Sequence, residues 1–140
     1  TAESPTAAPL LEGKGRLLVM DDEETLRTLL ARSLTKLGYQ VESARDGLEA
    51  IALYESAKRS GHAFDAVLLD LTISGGMGGA ETGAKLKELD PFVKLIVSSG
   101  YSDAPVMANY REYGFDDVIQ KPWQTAQLGE VLRRVLIVNR

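Results

Sequence analysis

The chain has 140 residues, of which 44% are apolar and 26% charged; it carries no cysteine, and 20 acidic against 16 basic residues leave a net charge of −4. That length fits one hydrophobic core, and the acidic balance argues against a nucleic-acid binder, because phosphate-backbone affinity rests on clustered Lys and Arg. Without thiols there are no disulfides, thiolate nucleophiles or zinc–thiolate centres, and no apolar run approaches the roughly 20 residues of a membrane helix.

Taken in order, residues 1–15 read as a flexible linker, with Pro5 and Pro9 among small residues and no apolar periodicity. A chain that begins at Thr1 rather than Met, with no signal-peptide pattern, is read as a piece of a longer protein, and a cytoplasmic one without direct membrane contact. Residues 16–140 form the expected domain. Arg16 to Met20 is a first strand that runs into Asp21-Asp22-Glu23-Glu24. A helix follows with Leu26, Leu29, Leu30, Leu34 and Leu37 at helical spacing, stopped by Gly38. Tyr39 to Ala44 is a second strand, and Asp46-Gly47 a turn. The second helix, about Leu48 to Ser60, presents Leu48, Ile51, Ala52 and Glu55 along one side.

Ala66-Val67-Leu68-Leu69-Asp70 is the third strand, an unbroken apolar run ending in a carboxylate, as suits a strand covered on both faces. Ser74 to Gly79 is a glycine-rich stretch expected to form a flexible loop. The helix after it contains Gly83, which costs about 1 kcal/mol relative to Ala and so requires tertiary support. Asp90-Pro91 breaks it. Lys94 to Ser99 is the fourth strand; a helix from Pro105 to about Tyr113 follows, then Asp117 to Gln120 as the fifth strand, Lys121-Pro122, and a last helix with Leu128, Val131, Leu132, Val135 and Leu136 on one stripe. Five strand–helix units in strict alternation predict an α/β, doubly wound (βα)5 domain: a parallel sheet with right-handed crossovers and helices on both faces.

In such a sheet all strand ends point one way, and ligands bind at the carboxyl edge. The first strand brings Asp21 and Asp22 to that edge, the third Asp70, the fourth Ser98 and Ser99, and the fifth is followed by Lys121. Clustered carboxylates raise one another's pKa and tolerate crowding best around a cation. Oxygen-only ligands select a hard ion, of which Mg2+ is the expected one. A lysine and a hydroxyl beside it supply the other half of a phosphate site, and a carboxylate can act as nucleophile to form an aspartyl phosphate.

The stretches Leu18-Val19-Met20-Asp21-Asp22-Glu23, Asp46-Gly47-Leu48-Glu49-Ala50, Leu68-Leu69-Asp70-Leu71, Ser98-Ser99-Gly100-Tyr101 and Lys121-Pro122 together resemble the receiver domain of two-component response regulators, over about Gly15 to Val138. The resemblance implies a flavodoxin-like fold with strand order 2-1-3-4-5. It implies that Asp70 accepts a phosphoryl group from a phosphohistidine donor. It implies that Asp22 and Asp70 ligate Mg2+ through carboxylates and Thr72 through its backbone carbonyl, with Asp21 acting mainly through water. Lys121 then pairs with the carboxylate and with phosphoryl oxygens. Ser99 matches the family's hydroxyl residue, with Ser98 the alternative one position away, and the Lys121-Pro122 bond is expected to be cis. The partner implied is a histidine kinase or a phosphotransfer domain; no oligomeric state is implied.

The chain departs from the family in three places. Ile73-Ser74 stand where Met-Pro is usual, which predicts a looser loop. Val118 replaces the aromatic residue three positions before the lysine, so the usual inward ring movement cannot run in that form. The stretch around Ser60-Gly61-His62 is longer than usual. The Ser-Ser-Gly-Tyr run and the glycine loop resemble receivers at the C-terminal end of hybrid sensor histidine kinases, and no DNA-binding effector domain is expected after the fifth helix.

Blander roles stand beside these. Asp21 to Glu24 can serve a helix N-terminus, Ser98 and Ser99 can satisfy backbone groups, and the glycine loop lacks the Lys-Ser/Thr ending of a P-loop. His62 reads as a surface residue, Asp116-Asp117 as solvated, and Tyr110, Tyr113 and Trp123 as partial core or partner surface. The leading function is a phosphoacceptor signalling domain whose output surface includes Val106, Tyr110, Val118 and Trp123, with catalysis limited to its own phosphorylation and dephosphorylation. The alternatives are a Mg2+-dependent phosphohydrolase with an aspartyl nucleophile, in which Thr72 stands where the second Asp of an Asp-x-Asp motif would be, and a docking module that is never phosphorylated.

Overall fold

A computed structural model of the chain describes residues 14–100 and 104–138. Most of the N-terminal linker, and Tyr101 to Asp103, lie outside the described residues. The strands are β1 (Arg16–Met20), β2 (Gln40–Ala44), β3 (Ala66–Asp70), β4 (Leu95–Ser99) and β5 (Asp117–Gln120). They form one parallel sheet in the order β2-β1-β3-β4-β5. The helices are α1 (Glu24–Lys36), α2 (Gly47–Arg59), α3 (Gly79–Leu89), α4 (Pro105–Ala108) and α5 (Thr125–Arg133). The doubly wound reading holds, strand order included.

Alternation along β1, β3 and β4 sends side chains into two cores. Leu17, Val19, Ala66, Leu68 and Ile96 meet Leu30 and Leu34 of α1, Leu37 at its C-cap, and Leu128, Val131 and Leu132 of α5. Leu18, Met20, Val67, Leu69, Leu95 and Val97 meet Ala50, Tyr54 and Ala57 from α2, Leu86 from α3, and Val106 and Met107 from α4. Both faces are therefore covered, which is why β3 and β4 are buried at every position.

Several elements differ from the sequence-based expectation. The inward side of α2 is Ala50, Tyr54 and Ala57, while Leu48 is 69% exposed and Ala52 is exposed. Ile51, from the expected stripe, is half-buried against that core beside the larger Tyr54. Leu29 of α1 is 48% exposed. The expected fourth helix is a single turn, Pro105–Ala108, followed by a 3₁₀ turn, Tyr110–Tyr113. Asn109 leaves helical geometry between them, at φ −121° and ψ 40°, and its side-chain amide donates to the Pro105 carbonyl. Asp116 and Asp117 are half-buried, not solvated. Asp116 Oδ2 accepts the Leu95 N–H at 2.9 Å, and Asp117 pairs with Arg134 at 3.1 Å. Gly83 does lean on packing: a Cβ there would lie 3.1 Å from Phe115 Cζ and 3.4 Å from Leu95 Cδ1.

Asp90 ties the end of α3 to α2. Its Oδ1 accepts the Phe92 N–H at 3.0 Å and its Oδ2 the Tyr54 hydroxyl at 2.7 Å. The Tyr54 hydrogen bond is the main influence holding the Asp90 carboxyl below its ordinary value, so its contribution is present above that ordinary value and is lost as pH falls through the depressed one. Tyr54→Phe is expected to lower stability by about 1–2 kcal/mol at neutral pH. Urea unfolding should show that loss shrinking once the buffer is acid enough to protonate Asp90; an unchanged loss in acid would assign it to packing instead.

Candidate functional site

Burial and register bring the strand-end groups together. Asp21 and Asp70 are 1% and 6% exposed, whereas Asp22 is exposed. One carboxylate oxygen from each of Asp21, Asp22 and Asp70 lies within 4.8 Å of the others. Lys121 reaches in from the end of β5, its Nζ 2.7 Å from Asp21 Oδ2 and 3.2 Å from Asp70 Oδ2. The Lys121–Pro122 peptide is cis.

Each acid is held by its neighbours. Asp21 Oδ1 accepts the Glu23 N–H at 2.9 Å, so this residue serves the start of α1 as well as the site. The Arg27 guanidinium donates to the Asp21 carbonyl at 2.8 Å, fixing the peptide that joins the two aspartates. Asp22 Oδ2 accepts the Ser74 N–H at 3.1 Å, and the Thr72 N–H donates to the Asp70 carboxylate. Burial pushes the Asp70 carboxyl up to about 6; Lys121 pulls it down and the Asp21 charge pushes it up again. Burial alone would lower Lys121, but hydrogen bonding and charge from Asp21 and Asp70 leave it raised. One ammonium faces three carboxylates, and that surplus of hard oxygen donors fits a divalent cation such as Mg2+.

Ser98 and Ser99 are both buried, at 2% and 1% exposure. Ser98 stands opposite Asp70 in the ladder, and its carbonyl accepts the Leu71 N–H at 2.8 Å. Its hydroxyl accepts the Trp123 indole N–H at 3.2 Å. Ser99 lies one residue nearer the edge, its carbonyl accepting the Lys121 N–H at 2.9 Å.

The stretch after Asp70 is tighter than its glycines suggest. The Met77 carbonyl accepts the Gly47 N–H at 3.0 Å, the Thr82 hydroxyl donates to the Gly78 carbonyl at 2.7 Å, and the Gly79 N–H donates to the Leu71 carbonyl at 3.1 Å. A Cβ on Gly78 would lie 2.7 Å from the Leu71 oxygen, and one on Gly79 2.7 Å from the Asp70 oxygen. These glycines let α3 begin against the Asp70 peptide. Gly47 is the first residue of α2 and needs no unusual φ; a Cβ there would collide with Thr82 Oγ1. The expected looseness is thus replaced, from Met77 onward, by close packing.

On the expected output surface, Val106 is buried in the core, Val118 and Tyr110 are half-buried against it, and Trp123 is half-buried over the α1/α5 side. His62 is exposed, and its carbonyl accepts from the Arg16 guanidinium. Sequence gives no signal for the roles of Arg27 and Thr82, whose side chains bind the main-chain carbonyls of Asp21 and Gly78, or for that of Ser74, which holds Asp22 through an N–H that any non-proline residue would supply.

A sequence model of the response regulator receiver domain matches residues 17–133. The chemotaxis protein CheY of Thermotoga maritima is 31% identical over 86% of this chain and 96% of CheY. Transcription factor SKN7 of Chaetomium thermophilum is 30% identical over 88% of this chain, which spans only 16% of SKN7. The solved structure of the response regulator TrrA from Thermotoga maritima, in complex with Mg(2+)-BeF, is similar with a TM-score of 0.73 at 27% identity, over 86% of this chain and 98% of TrrA.

Proposed function

This chain belongs to the response regulator receiver domain family, and from that premise we propose that it is the phosphoacceptor of a two-component phosphorelay, with Asp70 as the phosphorylated residue. The observation that carries the reading is the placement of Asp70: a nearly buried carboxylate beside Asp21 and Asp22, with Lys121 Nζ 3.2 Å away.

In the proposed step an Asp70 carboxylate oxygen attacks the phosphorus of a phosphohistidine. The P–N bond breaks, an acyl phosphate forms, and the imidazole leaves. Lys121 shifts from the free carboxylate to the phosphoryl oxygens, and the Ser99 hydroxyl donates to one of them. Asp21, Asp22 and Asp70 and the Thr72 carbonyl would hold Mg2+, which when bound neutralises charge on the phosphoryl oxygens. Water later cleaves the acyl phosphate, so catalysis is confined to the domain's own phosphorylation and dephosphorylation.

Residues 16–140 are read as the receiver and residues 1–15 as its linker. The Ser98-Ser99-Gly100-Tyr101 run favours the C-terminal receiver of a hybrid sensor histidine kinase as the parent, with this domain in the cytoplasm and a kinase or phosphotransfer domain as the donor. The excess of acidic residues favours no nucleic-acid contact through this domain.

Incubation with acetyl phosphate and Mg2+ is expected to give a single phosphoryl adduct by intact mass. The adduct should vanish in Asp70→Asn and in metal-free buffer. An adduct that persists in Asp70→Asn would place the chemistry elsewhere; continued turnover of a small phosphate ester would favour the hydrolase.

A further inference from the structure

Lys121 is held in the site by a thin connection. β5 is an edge strand, paired on one side with β4 through Ser99 and Gln120 at its end. The Lys121 N–H makes one further bond, to the Ser99 carbonyl. Pro122 has no N–H to offer, and the capping box of α5 joins Gln124 to Gln127 within its own helix. Between them, Trp123 donates its indole N–H to Ser98 Oγ at 3.2 Å.

That bond crosses from the segment carrying Lys121 back to the β4 residue paired with Asp70. Ser98 is 2% exposed, and Trp123 lies half-buried over the α1/α5 core. Lys121 has two anionic partners in reach, with Asp21 nearer than Asp70. Where its backbone is pinned therefore decides how well the ammonium can serve a group on Asp70.

We propose that the Ser98–Trp123 hydrogen bond is a positioning contact that fixes the Lys121 segment against β4, keeping the ammonium within reach of Asp70 during phosphoryl transfer. Neither residue touches the reacting atoms in this role. The inference rests on the phosphoacceptor reading.

The test is a double-mutant cycle on the rate of Asp70 labelling by acetyl phosphate and Mg2+, followed by intact mass, in the unaltered chain, Ser98→Ala, Trp123→Phe and the double variant. Each single change is expected to slow labelling about tenfold, a modest loss for a displaced charged group. The double variant should be no slower than either single one, because both remove the same bond. Trp123 is the sole tryptophan, so its emission maximum in Ser98→Ala should move to shorter wavelength on loss of the acceptor. Circular dichroism identifies a variant that fails to fold, and Ser98→Thr, which keeps the hydroxyl, then stands in and should label as the unaltered chain does while Ser98→Val does not. Multiplying rate losses, an unmoved emission maximum, or full-rate labelling in the single variants would overturn the positioning role and leave the phosphoacceptor reading intact. An unaltered chain that takes no label would overturn both.

Discussion

Asp70→Asn is expected to make the metal-free protein more stable at pH 7.5, by about 2 kcal/mol, the roughly 3 kcal/mol of the full shift being reduced by solvent screening of a carboxyl at the sheet edge. The native carboxyl is pushed up to about 6 from an ordinary value of 3.8, chiefly by burial. Between those values the folded state binds the extra proton, so stability declines as pH rises through that window and the full penalty stands above it. Asparagine keeps the shape and removes the charge. Variant and native protein should therefore unfold alike near pH 4 and diverge as pH rises. Saturating Mg2+ should reverse the order, because a ligand at a hundredfold excess over its Kd stabilises by about 2.7 kcal/mol, and the variant lacks one of the proposed ligands. Urea titrations with and without Mg2+ read both effects; a variant less stable than native without metal would mean that the Lys121 pairing outweighs burial.

Gly79→Ala is expected to cost about 2–3 kcal/mol and to slow labelling of Asp70. The new Cβ would stand 2.7 Å from the Asp70 carbonyl oxygen and 3.1 Å from the Asp70 carbonyl carbon and the Leu71 Cα, all main-chain atoms that no rotamer can move aside. Either α3 backs away from the sheet or the Asp70 peptide tilts, and the second outcome disturbs the nucleophile directly. Thermal melting should fall by roughly 6–12 °C. Native-like melting would show that the contact relaxes at little expense.

The parts of this molecule legible in its sequence are those specified locally. Apolar runs ending in acid marked β1 and β3, and Lys121-Pro122 marked the end of β5, because a strand and its terminal residue are neighbours in the chain. Parallel alternation then sufficed to bring Asp21, Asp22, Asp70 and Lys121 to one edge. The buried side of α2 differs from the expected stripe because Leu48 and Ile51 carry more hydrophobicity than Ala50 and Ala57, whereas the inward side is anchored by Tyr54, whose core packing and bond to Asp90 involve groups remote in sequence. The roles of Gly78 and Gly79, of Asp116 at the start of β4, and of Ser98 against Trp123 all depend on groups distant in sequence. A run of glycines reads as freedom until the backbone it touches is known.

The strand order has a consequence for how the site is assembled. The pairings β1·β2 and β1·β3 are complete by Asp70, and β4 and then β5 are added outward on one side, in the order of synthesis. Each addition closes a loop onto an edge already formed, which keeps the chain-closure entropy of every step small. The three carboxylates all belong to the early half, while Lys121 arrives with the final strand. A nascent chain released only as far as β4 thus holds mutually repelling acids without their counter-charge. Docking of the last strand–helix unit is then also the event that brings the first counter-charge into the pocket, so relief of the repulsion is coupled to completion of the fold.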